Sequence, residues 1–116
     1  EGGVIVFTGP FPQSISSTHP EFSQHAACSP DEINDRHEKG EIQDAVIVTT
    51  LKLHALVCER YKVVCLSEGL APADKHALGF HHADDAADAL GQATSMTSPT
   101  PSVGIIDNAA NVLPCE

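Results

Sequence analysis

The chain has few basic residues and no long apolar run. Six lysines and arginines stand against 16 aspartates and glutamates, which gives a formal net charge of −10. This excess of negative charge argues against a nucleic acid or an anionic membrane surface as a partner, because both repel an acidic protein. No apolar stretch approaches the roughly 20 residues of a membrane-spanning helix, and no signal peptide is apparent. We therefore expect neither a nucleic acid nor a membrane among its partners.

Aromatic residues are also scarce, and no two cysteines are closely spaced in the sequence. Aromatic residues make up 4% of the sequence and tryptophan is absent, so the core must be built from Val, Ile, Leu and Ala. The four cysteines, Cys28, Cys58, Cys65 and Cys115, show no C-x-x-C spacing. We therefore expect reduced thiols in a cytoplasmic protein, in preference to a disulfide framework or a cysteine metal site.

The length of 116 residues suits one domain with a single core. An apolar stretch, Val4 to Phe7, follows Glu1 after only two glycines. A free-standing protein usually has several polar residues before a buried strand, so this start predicts a piece of a longer chain. We interpret residues 1–116 as a single α/β domain of such a chain.

Three short apolar stretches predict the strands of a parallel sheet, at residues 4–8, 62–66 and 103–106. The stretches are continuous and rich in β-branched residues, which is typical of strands buried on both faces. Long segments with helical features separate them, as parallel strands require. The predicted fold is α/β, a small parallel sheet of about three strands with helices on both faces.

Several helices are predicted from their capping residues. Ser29 precedes Pro30 and two acidic residues, a pattern typical of a helix start, and Gly40 marks the end of that helix. Other helices are predicted over 20–27, 72–79 and 84–96.

The segment 44–61 is ambiguous. Residues 46–50 have high strand propensity. However, Ile47, Leu51 and Ala55 recur at helical spacing, and the apolar run is too long for one strand. We predict a buried helix here.

Histidines and aspartates cluster at residues 81–88. His81, His82, Asp84, Asp85 and Asp88 are residue types that bind metals. Adjacent histidines on an extended segment point in opposite directions, and aspartates at this position serve as caps of the following helix. We therefore assign no metal ligand in this chain.

Polar residues follow the predicted strands at their carboxyl ends, where parallel α/β sheets bind ligands. We take six of them as substrate or domain-interface candidates: Thr8, Ser17, His19, Ser67, Asp107 and Asn108. The alternative is a polar loop at 9–19, with Thr18 capping the next helix, and a simple turn at 107–108. No phosphate-binding loop, nucleophile elbow or Cys–His spacing is present, so no catalytic or cofactor-binding residue is assigned.

Taken in order, seven segments of the chain resemble the C-terminal domain of the nickel-dependent lactate racemase family. They are EGGVIV at 1–6, SPDEI at 29–33, YKVVCLS at 61–67, LGF at 78–80, DDAADAL at 84–90, VGIID at 103–107 and VLP at 112–114. The resemblance spans nearly the whole chain, and the order and spacing of the segments carry it.

The resemblance implies a parent enzyme that interconverts stereoisomers of lactate or another small 2-hydroxy acid. Such enzymes use a nickel-pincer nucleotide, which takes a hydride from the substrate carbon and returns it to either face. The cofactor-anchoring lysine, the nickel ligand and the two acid–base histidines belong to the N-terminal domain of these enzymes, so none is carried over to this sequence. We therefore expect this chain to close over a cofactor-bearing N-terminal domain and to bind no cofactor by itself.

Two functions follow as expectations. The first is a C-terminal domain of a 2-hydroxy-acid racemase that is inactive in isolation. The second is a stand-alone, non-catalytic α/β module that binds a small ligand or a protein.

Overall fold

The computed structural model describes residues 2–15 and 19–109. Within them the chain forms three strands and five helices. Their bounds are β1 Val4–Thr8, α1 Glu21–His25, α2 Pro30–Glu38, α3 Ala45–Arg60, β2 Lys62–Leu66, α4 Pro72–Ala77, β3 His81–His82 and α5 Ala86–Ser95. No helix in this part of the chain is long and apolar enough to cross a membrane.

The three strands form one parallel sheet in the order β1-β2-β3. Thr8 pairs with Leu66, so β1 and β2 end at the same edge of the sheet, and Cys65 pairs with His82. Three helices connect β1 to β2, and α4 connects β2 to β3. The predicted small parallel α/β fold is confirmed.

The central strand β2 separates two cores. Cys65 is fully buried and packs with Ile33 and Leu51, from α2 and α3. Its neighbour Val64 is also fully buried and packs with Ala89, from α5. Successive residues of a strand point to opposite faces, so helices cover the sheet on both sides.

The edge strand β1 is much more exposed than its sequence predicts. Ile5, Val6 and Phe7 are 39%, 39% and 37% exposed. The prediction of full burial was wrong because, within the described part of the chain, β1 has a neighbouring strand on one side only. The buried strand is β2, which has a neighbour on each side. An apolar strand at an open sheet edge is a feature that natural proteins usually cover.

The third strand is not the predicted one. Residues 103–106 form no strand, and Val103, Ile105 and Ile106 are 76%, 91% and 67% exposed. Instead, His81 and His82, expected as a brief extended link, pair with β2. A helix that ends just before Gly79 returns the chain to the free edge of β2, and this short connection favours pairing at 81–82.

The helix predictions are confirmed. Helix α3 buries Ile47, Val48, Leu51 and Ala55, so helical periodicity outweighed the strand propensity of residues 46–50. At the start of α2, the Ser29 side chain accepts from the Glu32 amide while the Glu32 carboxylate accepts from the Ser29 amide, a complete capping box.

The described cysteines are free thiols, as predicted. Cys28 and Cys58 are half-buried and Cys65 is buried. Cys58 lies on α3 and Cys65 on β2, also as predicted. Cys115 lies outside the described residues.

Candidate functional site

The loops that follow β1 and β2 lie in direct contact at the carboxyl edge of the sheet. Gly69 follows β2, and a Cβ atom at this position would collide with the backbone carbonyl oxygens of Pro10 and Phe11. Only glycine therefore allows the two loops to approach this closely. The contact fixes the loop after β1 against the end of β2.

A buried lysine ties the end of β2 to the end of β3. Lys75, on α4, has no exposed surface, and its Nζ lies 2.9 Å from the carbonyl oxygen of Ser67 and 2.9 Å from Nδ1 of His82. An ammonium group only donates, so His82 Nδ1 accepts and its Nε2 carries the hydrogen. That Nε2 lies 3.0 Å from Oδ1 of Asp84 and donates to it.

These hydrogen bonds link Lys75 through His82 to Asp84. The imidazole ring of His82 thus lies between the buried ammonium group and the Asp84 carboxylate. Gln92 extends the network, because its amide donates to the His82 carbonyl oxygen and to the Asp88 carboxylate. Lys75 has no exposed surface that could touch a substrate. The network therefore holds the carboxyl ends of β2 and β3 in place.

A cavity of about 250 Å³ lies on the face of the sheet that α3 covers, and it is partly open to solvent. Among the described residues, no charged side chain lines the cavity unless His54 is protonated. Its walls are Phe7, Phe11, Ile15, Phe22, His54, Leu70, Leu78 and Phe80. The loops at the carboxyl edge supply part of this wall, so the cavity opens beside the edge where parallel sheets bind ligands.

His54 is the polar residue of the cavity. Its Nε2 lies 3.0 Å from the carbonyl oxygen of Leu78, which can only accept, so Nε2 carries the hydrogen. Burial lowers the pKa of His54, and the bond to Leu78 only partly opposes this effect. The ring is therefore neutral at pH 7, with Nδ1 as an acceptor. The rings of Phe22 and Phe80 lie 5.6 Å and 5.5 Å from it.

Cys58 lies beside His54, but the pair is not a nucleophile and its base. The Sγ atom is 3.7 Å from His54 Nε2 and 3.7 Å from the Leu78 carbonyl oxygen. Burial raises the pKa of the Cys58 thiol, whereas a catalytic cysteine needs a lowered one. Nε2 also carries a hydrogen and cannot accept the thiol proton.

The structure brings two of the predicted site residues to the expected edge. Thr8 ends β1, and Ser67 directly follows β2. The Ser67 hydroxyl accepts from the Gly69 amide at 3.2 Å, while its carbonyl oxygen accepts from Lys75. Both residues help to shape the edge, and their role as substrate or interface residues stays a prediction.

Of the other predicted site residues, His19, Asp107 and Asn108 do not directly follow a strand. Nδ1 of His19 is 3.7 Å from Oε1 of Glu21, at the start of α1. Asp107 and Asn108 form an exposed turn, and because residues 103–106 are not a strand, this turn does not mark a strand end. Ser17 lies outside the described residues.

Sequence reasoning missed Lys75, His54 and Gly69. Lys75 lies within a short polar stretch, and nothing in its neighbours distinguishes it from a solvent-exposed lysine. His54 offered a weak signal, because it lies one turn before Cys58 on a helix whose other face is apolar. Gly69 follows a predicted strand, where a glycine can indicate close backbone contact.

The described residues do not fit a nickel centre. Within residues 2–15 and 19–109, no three His, Cys, Asp or Glu side chains lie together so as to hold a metal ion. In the histidine–aspartate cluster, Asp85 caps α5 by accepting from the Asp88 amide. The Asp84 amide donates to Asp88, and this bond and that from Gln92 hold the pKa of Asp88 below its ordinary value.

No protein-family model, curated protein or solved structure matches this chain.

Proposed function

We propose that this chain is the C-terminal domain of a nickel-pincer-nucleotide-dependent racemase of small 2-hydroxy acids such as lactate. In this proposal it acts in the cytoplasm, packs against a cofactor-bearing N-terminal domain of the same protein and is not catalytic alone. The observation that carries the proposal is the exposed apolar strand β1. The order of the segments that resemble nickel-dependent lactate racemases suggests the type of enzyme.

The exposure of β1 favours a covering domain. Ile5 and Phe7 share one face of the sheet with Val63 and Cys65, and Val6 shares the other face with Val64. More than a third of each of the three apolar side chains is exposed, so neither face of β1 is fully covered by the described residues. An adjoining domain that packs on this strand would bury this apolar surface, and each Å² buried would stabilise the contact by about 25 cal/mol.

The carboxyl edge supports the same arrangement. The loop after β1 is fixed against Gly69, and the lysine network fixes the end of β2 against β3. A rigid edge of this kind can close over a neighbouring active site, orient a small substrate and exclude water. The cofactor would supply hydride transfer from the N-terminal domain, and this chain would supply closure.

The test begins with the native protein in its source cells. An antibody raised against this chain should detect a protein several times the mass of the 116-residue chain. That protein, once purified, should contain nickel and racemise an enantiopure 2-hydroxy acid. The isolated 116-residue chain should leave the optical rotation of the same solution unchanged.

Two outcomes would overturn the proposal. One is a native protein no larger than this chain. The other is racemisation by the isolated chain, because the catalytic groups would then lie within it.

The second candidate is a stand-alone, non-catalytic module that binds a small ligand or a protein. The cavity beside His54 favours it, since a partly open apolar cavity with one polar group is typical of small-molecule sites. A native protein of the mass of this chain, without nickel, would support this candidate over the first.

A further inference from the structure

We propose that the cavity beside His54 binds a small, uncharged, planar aromatic molecule that carries one hydrogen-bond donor. Indole and phenol-like compounds have this chemistry. The inference does not depend on the racemase proposal, because it uses only the lining, size and polarity of the cavity.

The size of the cavity matches a ligand of about two fused rings. An apolar cavity of about 150 Å³ accommodates one benzene ring. The present cavity, of about 250 Å³, therefore has room for a bicyclic molecule.

The lining selects an aromatic, uncharged ligand. Four of the eight described residues that line the cavity are phenylalanines, and the rest, apart from His54, are leucine or isoleucine. Phenylalanine rings contact other rings favourably at their edges and faces. Moving a charged ligand from water into this cavity would cost free energy, because the lining offers it no group of opposite charge.

His54 selects a ligand with a hydrogen-bond donor. The Leu78 carbonyl oxygen holds the Nε2 hydrogen, and the lowered pKa keeps the ring neutral, so Nδ1 can accept but not donate. An N–H or O–H group on the ligand would complement this atom. A ligand that offers only acceptors would not.

The wall of the cavity is built in an unusual backbone conformation. Phe11 has φ of +41°, in the left-handed region that a phenylalanine rarely adopts. This conformation sets its ring 5.4 Å from that of Phe7, edge to face, at the cavity. The contact of Gly69 with the Phe11 backbone holds the loop there. Residues kept in such conformations cluster at ligand sites.

The test compares indole with indene, a hydrocarbon of nearly the same shape that has no N–H group. Each is titrated into the ¹⁵N-labelled 116-residue chain and followed by NMR. Indole should bind saturably, with a dissociation constant on the order of 0.1 to 1 mM, and shift the amides of the lining residues. Indene should bind about three- to tenfold more weakly, the effect of one net hydrogen bond.

Variants locate the site. Phe22→Trp fills part of the cavity and should weaken both ligands at least about tenfold. Tyr61→Trp is the matched control, because Tyr61 is exposed and does not line the cavity, and it should bind as the wild type does. His54→Phe should lower the affinity for indole to that for indene.

The ring nitrogen signals of His54 in the wild-type chain provide a measurement that needs no variant, in case His54→Phe fails to fold. Indole should shift the Nδ1 signal, and indene should leave it nearly unchanged. Equal affinity for the two ligands, an unmoved Nδ1 signal, or amide shifts away from the cavity would each overturn the proposal.

Discussion

Lys75 is the residue whose environment departs most from that of its type. Lysines are almost never fully buried unless they are paired, and Lys75 has no exposed surface. Its Nζ satisfies two acceptors from different elements, the Ser67 carbonyl oxygen and His82 Nδ1. Removal of the ammonium would leave these two half-buried acceptors without the hydrogen bond that Lys75 donates.

Lys75→Met should therefore lower the free energy of unfolding by about 2–4 kcal/mol, because an apolar side chain of similar length fills the space but donates no hydrogen bond. Urea unfolding followed by circular dichroism measures the change. Lys39→Met is the matched control, since Lys39 is exposed and its ion pair with Asp35 lies at the surface. The stability of this variant should stay close to that of the wild type. Equal losses in the two variants would contradict the role of the network.

His54 predicts a pH-dependent component of stability. Burial lowers the pKa of His54 below its ordinary value of 6.5, so the unfolded chain binds the proton more readily than the folded chain. The neutral ring thus contributes stability that is fully present above pH 6.5 and is lost as the pH falls from there through the lower pKa of the folded state.

His54→Gln removes this titration, because the amide of glutamine carries no proton-binding group in this range. The advantage of the wild type over the variant should shrink between about pH 8 and about pH 5. Urea unfolding of both chains at each pH measures it. An advantage that is constant with pH would show that His54 titrates equally in the folded and unfolded chains.

At the scale of the elements, two glycines predict opposite effects of the same substitution. Gly69→Ala should destabilise the chain by about 1–3 kcal/mol, because its Cβ would collide with the backbone of Pro10 and Phe11 and displace the loop. Gly91→Ala should stabilise it by up to about 1 kcal/mol, because Gly91 lies inside α5 with no atom of the described residues within 4 Å of its Cβ position, and alanine favours a helix.

Thermal unfolding of the two variants and the wild type measures their order of stability directly. The melting temperature should be highest for Gly91→Ala and lowest for Gly69→Ala. If Gly69→Ala unfolds at the wild-type temperature, the loops after β1 and β2 are not in the close contact described here.

At the scale of the whole molecule, the sequence predicted the helices better than it predicted which segments pair in the sheet. Helix α3 could be predicted because Ile47, Leu51 and Ala55 recur every four residues, and periodic burial decides helix against strand. The third strand could not, because a strand also needs a partner. Residues 103–106 have high strand propensity but pair with no strand of the described residues. His81 and His82 pair with β2 although histidine has little strand propensity.

The candidate site was predictable only in part, for a related reason. The edge that contains Thr8 and Ser67 follows from parallel pairing, which places strand ends together. The cavity does not follow from any local pattern, because its wall combines a strand, three loops and the helices α1 and α3, far apart in sequence. Only the packing of α3 brings His54 between Phe22 and Phe80.

The parallel pairing of β1 with β2 also sets an order of events when the chain is synthesised. β1 is made first, but its partner begins at Lys62, roughly fifty residues later, so β1 must wait unpaired while α1, α2 and α3 emerge. Closing so long a loop slows folding, and a waiting apolar strand can pair with another chain. Helices need only local contacts, so α1, α2 and α3 can form during this interval. Pairing of β1 with β2 can therefore begin only after β2 has been synthesised, and until then the apolar side chains of β1 lack their partner strand.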